Sequence, residues 1–168
     1  MIEVNITDNM LIEARAKAKE MGQLKGSMMK GERNVIGFLG EIVTQSIIGG
    51  EFHNTYDYDI MTPSGKTVDV KSKRINYPPK DYYACNIFTY NEKQDCDYLV
   101  FCFVHSNLDK AWIAGYYNKK EFLKDCDFVP KGQVMGSGVV YKRDNYELKV
   151  SQLKPTSQLM EEFSEAAA

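Results

Sequence analysis

The feature that most constrains this chain is a short turn, Thr62-Pro63-Ser64-Gly65-Lys66, set between two runs of alternating character. Proline at the second position and glycine at the fourth suit a type I turn closed by a left-handed residue, the three-residue loop of a β-hairpin. The flanking runs, Tyr56 to Met61 and Thr67 to Ile75, therefore read as antiparallel strands. With Thr62 opposite Lys66, Asp59 falls opposite Asp69 and Asp57 opposite Lys71. Strand side chains alternate between faces, so Asp57, Asp59, Asp69, Lys71 and Lys73 share one face, and Tyr58, Ile60, Val68, Val70 and Ser72 the other. Two carboxylates across a strand pair repel each other, and a divalent cation between them, Mg²⁺ above all, is the simplest compensation. Lys71 on the same face can orient a water and balance negative charge on a phosphate. A cation in such a site supplies Lewis acidity toward a phosphoryl oxygen. Carboxylates, lysine and metal suit phosphodiester hydrolysis, whereas no Ser-His-Asp or Cys-His arrangement for acyl transfer is visible.

Upstream, Thr7-Asp8-Asn9 offers N-cap chemistry, and Leu11, Ala14, Ala18 and Met21 recur at helical spacing until Gly22. A polar stretch from Gln23 to Gly31 carries Lys25 and Lys30, with Arg33 just beyond. A second helix over Glu32 to Ile48 presents Val35, Leu39, Ile42 and Val43 as one stripe and stops at Gly49-Gly50. Gly37 and Gly40 each cost this helix about 1 kcal/mol relative to Ala, which points to another backbone packed close against it. Downstream, strands are expected over Tyr83–Thr89, Asp97–His105 and Ala111–Tyr116. The continuously apolar Tyr98–Val104 suits a central strand covered on both faces. A short helix follows from Asn118 to Lys124, then an edge hairpin from Val139-Val140-Tyr141 and Tyr146–Val150, and a tail after Pro155 that frays from Glu161. The fold class is α/β (α+β): a mixed central sheet flanked by helices, in a single domain spanning 1–168 with its core at about 7–150.

Asp59, nine residues and then Asp69-Val70-Lys71 resembles the PD-(D/E)xK nuclease superfamily, with its restriction-endonuclease-like fold. The match covers Arg33 to Arg74, and Tyr58 stands where the motif's name has proline. A three-residue turn places Asp59 in the first acidic role; a two-residue shift of register would place Asp57 there. The resemblance implies that Glu41, on the helix before the hairpin, completes the site. It further implies that Asp59, Asp69 and the Val70 carbonyl hold Mg²⁺ or Mn²⁺ together with Glu41, and that Lys71 orients the attacking water. Gln45, one turn beyond Glu41, and Lys73 are accessory candidates. The activity so implied is metal-dependent endo- or exonucleolytic cleavage, of DNA more than RNA. A second copy of the chain is a candidate partner, because nucleases of this fold often act as homodimers. Superfamily members that have lost catalysis make a non-catalytic nucleic-acid-binding or assembly protein the alternative.

Net charge is -2, so any nucleic-acid contact rests on a local basic surface. Lys73, Arg74 and Lys80 are candidates for the phosphate backbone, and Tyr77, Tyr82, Tyr83 and Tyr90 for stacking on unpaired bases. Each group has a plainer reading, as a solvated face and as aromatics packed at strand ends. His53, His105 and Trp112 read as structural. Cys85, Cys96, Cys102 and Cys126 form no CxxC pair and read as reduced, buried residues. With no signal-peptide pattern and no membrane-spanning apolar run, the expected location is the cytoplasm of a cell or of an infected host.

Overall fold

The Thr62–Lys66 turn closes as its sequence requires. Thr62 N–H donates to the Lys66 carbonyl at 2.9 Å and Gly65 N–H to the Thr62 carbonyl at 2.9 Å. The computed structural model describes residues 1–24, 31–53, 55–135 and 138–164, the side chains at 23–24 and 31–33 excepted. The inter-helix lysines Lys25 and Lys30, and the side chain of Arg33, lie outside the described residues.

In chain order the elements are β1 (Ile2–Asn5), α1 (Asp8–Leu24), α2 (Gly31–Ile48), β2 (Glu51–Phe52), β3 (Ile60–Met61) and β4 (Thr67–Ile75). Then come β5 (Ala84–Phe88), β6 (Tyr98–His105), β7 (Lys110–Asn118), α3 (Lys119–Asp125), β8 (Asp127–Val129), β9 (Asn145–Lys149) and α4 (Leu159–Phe163). Six strands make a mixed sheet in the order β1-β7-β6-β4-β3-β2, in which β4 and β6 run parallel. The other three, β5-β9-β8, form a separate antiparallel sheet.

The two-sided burial of β6 organises everything around it. Val100, Cys102 and Val104 face α1 and α2 in one core, with Val35, Leu39, Ile42, Val43, Val68 and Val70. Leu99, Phe101 and Phe103 face a second core, with Cys85, Ile87, Phe122 and Leu148. Trp112 belongs to that second core and donates its indole N–H to Glu3 at 2.9 Å. All four cysteines are free; three are buried, and Cys126 is half-buried.

Three expectations need correction. The strand near residues 84–88 pairs with β9 outside the central sheet, because its inward residues Cys85 and Ile87 cover the second core rather than extend the ladder. Of the tail expected to fray from Glu161, residues 161–164 are placed: α4 buries Leu159 and Phe163 in the first core, and Glu162 bonds Lys66 and Tyr98, while 165–168 lie outside the described residues. The hairpin's first strand is only two residues long, for a reason given below. Among the described residues, no helix is long and apolar enough to cross a membrane.

Gly40 is where the helical layer meets β4. A Cβ there would stand 1.8 Å from Ser72 Oγ and 2.9 Å from Ser72 Cβ, so the α2 backbone lies directly on the strand. Gly37 has no such neighbour, and nothing in the structure explains it. Gly40→Ala is expected to destabilise the protein by about 1–3 kcal/mol through overpacking. Adding Ser72→Gly should recover most of that loss in chemical denaturation. Equal stability of Gly40→Ala and the parent would show that the two elements can move apart freely.

Candidate active site

Strand β3 pairs with β4 only at Ile60–Val68 and Met61–Thr67. Thr55 accounts for this, since its hydroxyl accepts the Tyr58 N–H at 3.1 Å and donates to the Tyr58 carbonyl at 2.9 Å. Such a local side-chain turn competes with the ladder, and it carries residues 56–58 out of the strand. Past Val68, the β3-side edge of β4 therefore has no strand partner among the described residues.

Asp59 fills that gap. Its N–H donates to the Val68 carbonyl at 2.9 Å, and its carbonyl accepts the His53 N–H at 2.8 Å. Its carboxylate Oδ2 accepts the Val70 N–H at 2.7 Å, where the next carbonyl of a longer β3 would have been. Asp59 thus continues the expected register by side chain rather than backbone. Asp57 does not reach Lys71; its Oδ1 accepts the Asp95 N–H at 3.1 Å, on the loop before β6. Of the two candidates for the first acidic role, the fold places only Asp59 beside Asp69.

Asp69 is buried, 4% exposed, and faces the second core's side of β4. The Lys71 ammonium stands 2.7 Å from Asp69 Oδ2 and donates to Gln94 Oε1 at 3.3 Å. Asp69 Oδ2 nevertheless accepts no hydrogen bond of good geometry. Glu41 comes from the opposite, helical layer, beside the Gly40–Ser72 contact, and lies near enough to Asp59, Asp69 and Lys71 to feel their charges. Its carboxyl is pushed up to about 7, first by burial and also by Asp69, against the pull of Lys17 and Lys71. Asp59 is pushed up to about 8, first by burial and then by the charges of Asp69 and Glu41. Three carboxyl groups thus share one poorly solvated place, with two lysines to balance them.

The donor set suits a hard divalent cation. Carboxylate oxygens are the preferred ligands of Mg²⁺ and Mn²⁺, and Asp69 Oδ2 has capacity left over. The Val70 carbonyl points to the same edge as its N–H, by the alternation of a strand's polar groups. Among the described residues, no three His, Cys, Asp or Glu side chains are gathered tightly enough to hold a metal as they stand. The Asp59 carboxylate is turned to a backbone N–H and that of Asp69 to an ammonium.

The remaining candidates are placed elsewhere. Gln45 donates its amide to the Gly50 carbonyl at 3.0 Å and secures the end of α2. Lys73 donates to the Ala84 carbonyl at 2.7 Å, and burial holds its pKa below the usual lysine value. That ammonium joins the two sheets and is not free for a phosphate backbone. Arg74, its neighbour, points to the other face and reaches the Ser106 carbonyl at 3.2 Å. Lys80 is exposed, 5.9 Å above the Tyr82 ring. The three do not make one basic patch. Two residues near the cluster escaped the sequence reading. Lys17 of α1 lies close enough to Glu41 to pull its pKa down, and sits 3.6 Å above the Phe52 ring. Gln94 receives Lys71 and donates to the Tyr56 carbonyl at 2.7 Å. Both come from segments distant in sequence, with no motif to mark them.

No protein-family model matches the sequence, and no curated protein matches it.

The crowded carboxylates have a consequence for stability. Folding raises the pKa of Glu41 and Asp59 above their ordinary values. Between about pH 4 and 8 the folded chain therefore binds more protons than the unfolded chain, and stability falls as pH rises through that window. In EDTA, the melting temperature is expected to drop by a few degrees between about pH 5.5 and 8.5 from these two groups. An Asp59→Asn, Glu41→Gln double variant should flatten that slope. An identical slope in parent and double variant would show that the carboxyl groups are solvated and independent.

Proposed function

We propose that this chain is a metal-dependent nuclease that hydrolyses phosphodiester bonds, in DNA by preference, on a restriction-endonuclease-like scaffold related to the PD-(D/E)xK superfamily. The observation that carries the reading is the gathering of Glu41, Asp59, Asp69 and Lys71 within reach of one another's charges, from three different elements. The motif residues alone fix only the hairpin; the electrostatic coupling of Glu41 to Asp59 and Asp69, from the other face of the sheet, supports the reading independently of the motif.

Asp59, Asp69, Glu41 and the Val70 carbonyl would hold Mg²⁺ or Mn²⁺, which supplies Lewis acidity toward a phosphoryl oxygen. Lys71 presents its ammonium from the strand to the attacking water and to the developing negative charge of the phosphate. Gln94 accepts a hydrogen bond from that ammonium and helps hold it in place. In the hydrolysis, the water oxygen bonds to phosphorus and gives up one proton to solvent, the bridging P–O bond breaks, and the leaving oxygen departs with the electron pair and takes up one proton from solvent.

Purified protein incubated with plasmid, single-stranded DNA and RNA, in Mg²⁺, Mn²⁺ or EDTA, tests the reading. Metal-dependent cleavage is expected, and Lys71→Ala should lower its rate on the order of 10²–10³-fold or more without unfolding the protein. Asp59→Asn should lose activity on the same scale, whereas Asp57→Asn keeps it within a few-fold. Salt-dependent binding with no cleavage under any metal would instead indicate the non-catalytic binding protein.

A further inference from the structure

A cavity of about 300 Å³ lies between β4 and β5, and Lys71 and Lys73 form part of its wall. Its volume sits at the small end of ligand pockets, enough for one flat ring system rather than an extended ligand. Phe101 and Phe103, both buried, supply an apolar floor, and Asn86 and Asn91 supply polar groups. Phe88 and Tyr90 line it as well, 38% and 49% exposed, with their rings stacked at 5.3 Å and 24°. The guanidinium of Arg143 stands 5.7 Å from the Phe88 ring and 5.8 Å from the Tyr90 ring.

Asn86 lines the same cavity. Its amide nitrogen is spent on Asn145 Oδ1 at 2.6 Å, but its own Oδ1 is buried with no hydrogen-bond partner. That oxygen is closed off from the cavity as well as from solvent, so the cost of leaving it unpaired belongs to the packing of β5 against β9.

We propose that this cavity receives one unpaired nucleobase, so that the substrate is a strand with at least one unstacked nucleotide beside the scissile phosphate. The inference rests on the nuclease reading for its link to cleavage, and on the cavity for the base itself. Aromatic rings exposed beside a cation are the usual platform for an unpaired base, and every base has a π-face. A base stacked on this platform has to leave its duplex, and every base offers the same kind of face, so the pocket selects unpaired over paired nucleotides rather than one base over another. Lys71 belongs to both the cavity wall and the carboxylate cluster, so a base seated here leaves its own backbone phosphate near the cluster.

The test separates the two claims. Single-stranded DNA carrying one 2-aminopurine is titrated with protein in EDTA, where no cleavage occurs, beside a blunt duplex of the same sequence. The expected result is quenching of the single strand, and an affinity about 5- to 150-fold weaker for the Phe88→Ala, Tyr90→Ala double variant. Tyr90→Phe should bind like the parent, because it keeps the ring. Both positions are exposed, and melting temperatures check that the variants fold. Equal affinity of the parent for strand and duplex, or unchanged affinity in the double variant, overturns the pocket. Cleavage that ignores the double variant would remove the pocket and leave the nuclease standing. Quenching without cleavage in any metal would leave the pocket and remove the nuclease.

Discussion

Every residue of a sheet strand has to place its N–H and C=O, and β4 has two edges to satisfy. One is taken by β6 over eight residue pairs, from Val68–Tyr98 to Ile75–His105. The other is served by a strand of only two residues, and beyond it the carboxylate of Asp59 takes the Val70 N–H. That single substitution of side chain for backbone opens the edge and draws one carboxylate toward Asp69. It also makes Asp59 part of the strand's own hydrogen bonding. A carboxylate used in this way is fixed in position, which a ligand or a catalytic group requires.

The site straddles the sheet because the sheet is covered on both faces. Glu41 approaches from the helical core and Asp69 with Lys71 from the side of the second core, so neither layer alone could assemble the cluster. The close seat of α2 on Ser72, permitted by the missing side chain of Gly40, sets how near Glu41 comes. Burial then works against charge. The carboxyl groups of Glu41 and Asp59 are displaced toward neutrality, and a group held there against its solvation gains from any cation that joins it.

The hairpin was legible because it is local. Turn chemistry, alternation and a count of five residues place Asp69 and Lys71 on β4 and bring Asp59 into register. The extent of β3 was not legible: the competitor that ends it is Thr55, whose hydroxyl makes a turn that no periodicity announces. Gly40 was readable as a close approach, but nothing distinguished it from Gly37, where a side chain would meet open space. The second sheet was missed because its strands pair across a long separation, β5 with β9 over Ala84–Lys149 to Phe88–Asn145. Alternation identifies a strand and leaves its partner open. Two-residue β2 and three-residue β8 are too short to carry a pattern.

Buried lysines explain how the second sheet is tied down near the cluster. Lys73 reaches from β4 to the Ala84 carbonyl. Lys119, only 4% exposed, donates to the carbonyls of Asn91 and Gln94. The hydrogen bonds of both cations go to backbone oxygens, with Glu147 near enough to Lys73 to favour its charge, and a buried ammonium tolerates little displacement from such acceptors. The segment carrying Gln94 is thereby anchored at its backbone while its side chain bridges Lys71 and Tyr56. The segment facing Lys71 is accordingly held by polar bonds at its backbone, beside a cavity whose floor is apolar. In a chain with net charge -2, three positive charges placed this way matter locally more than the overall balance.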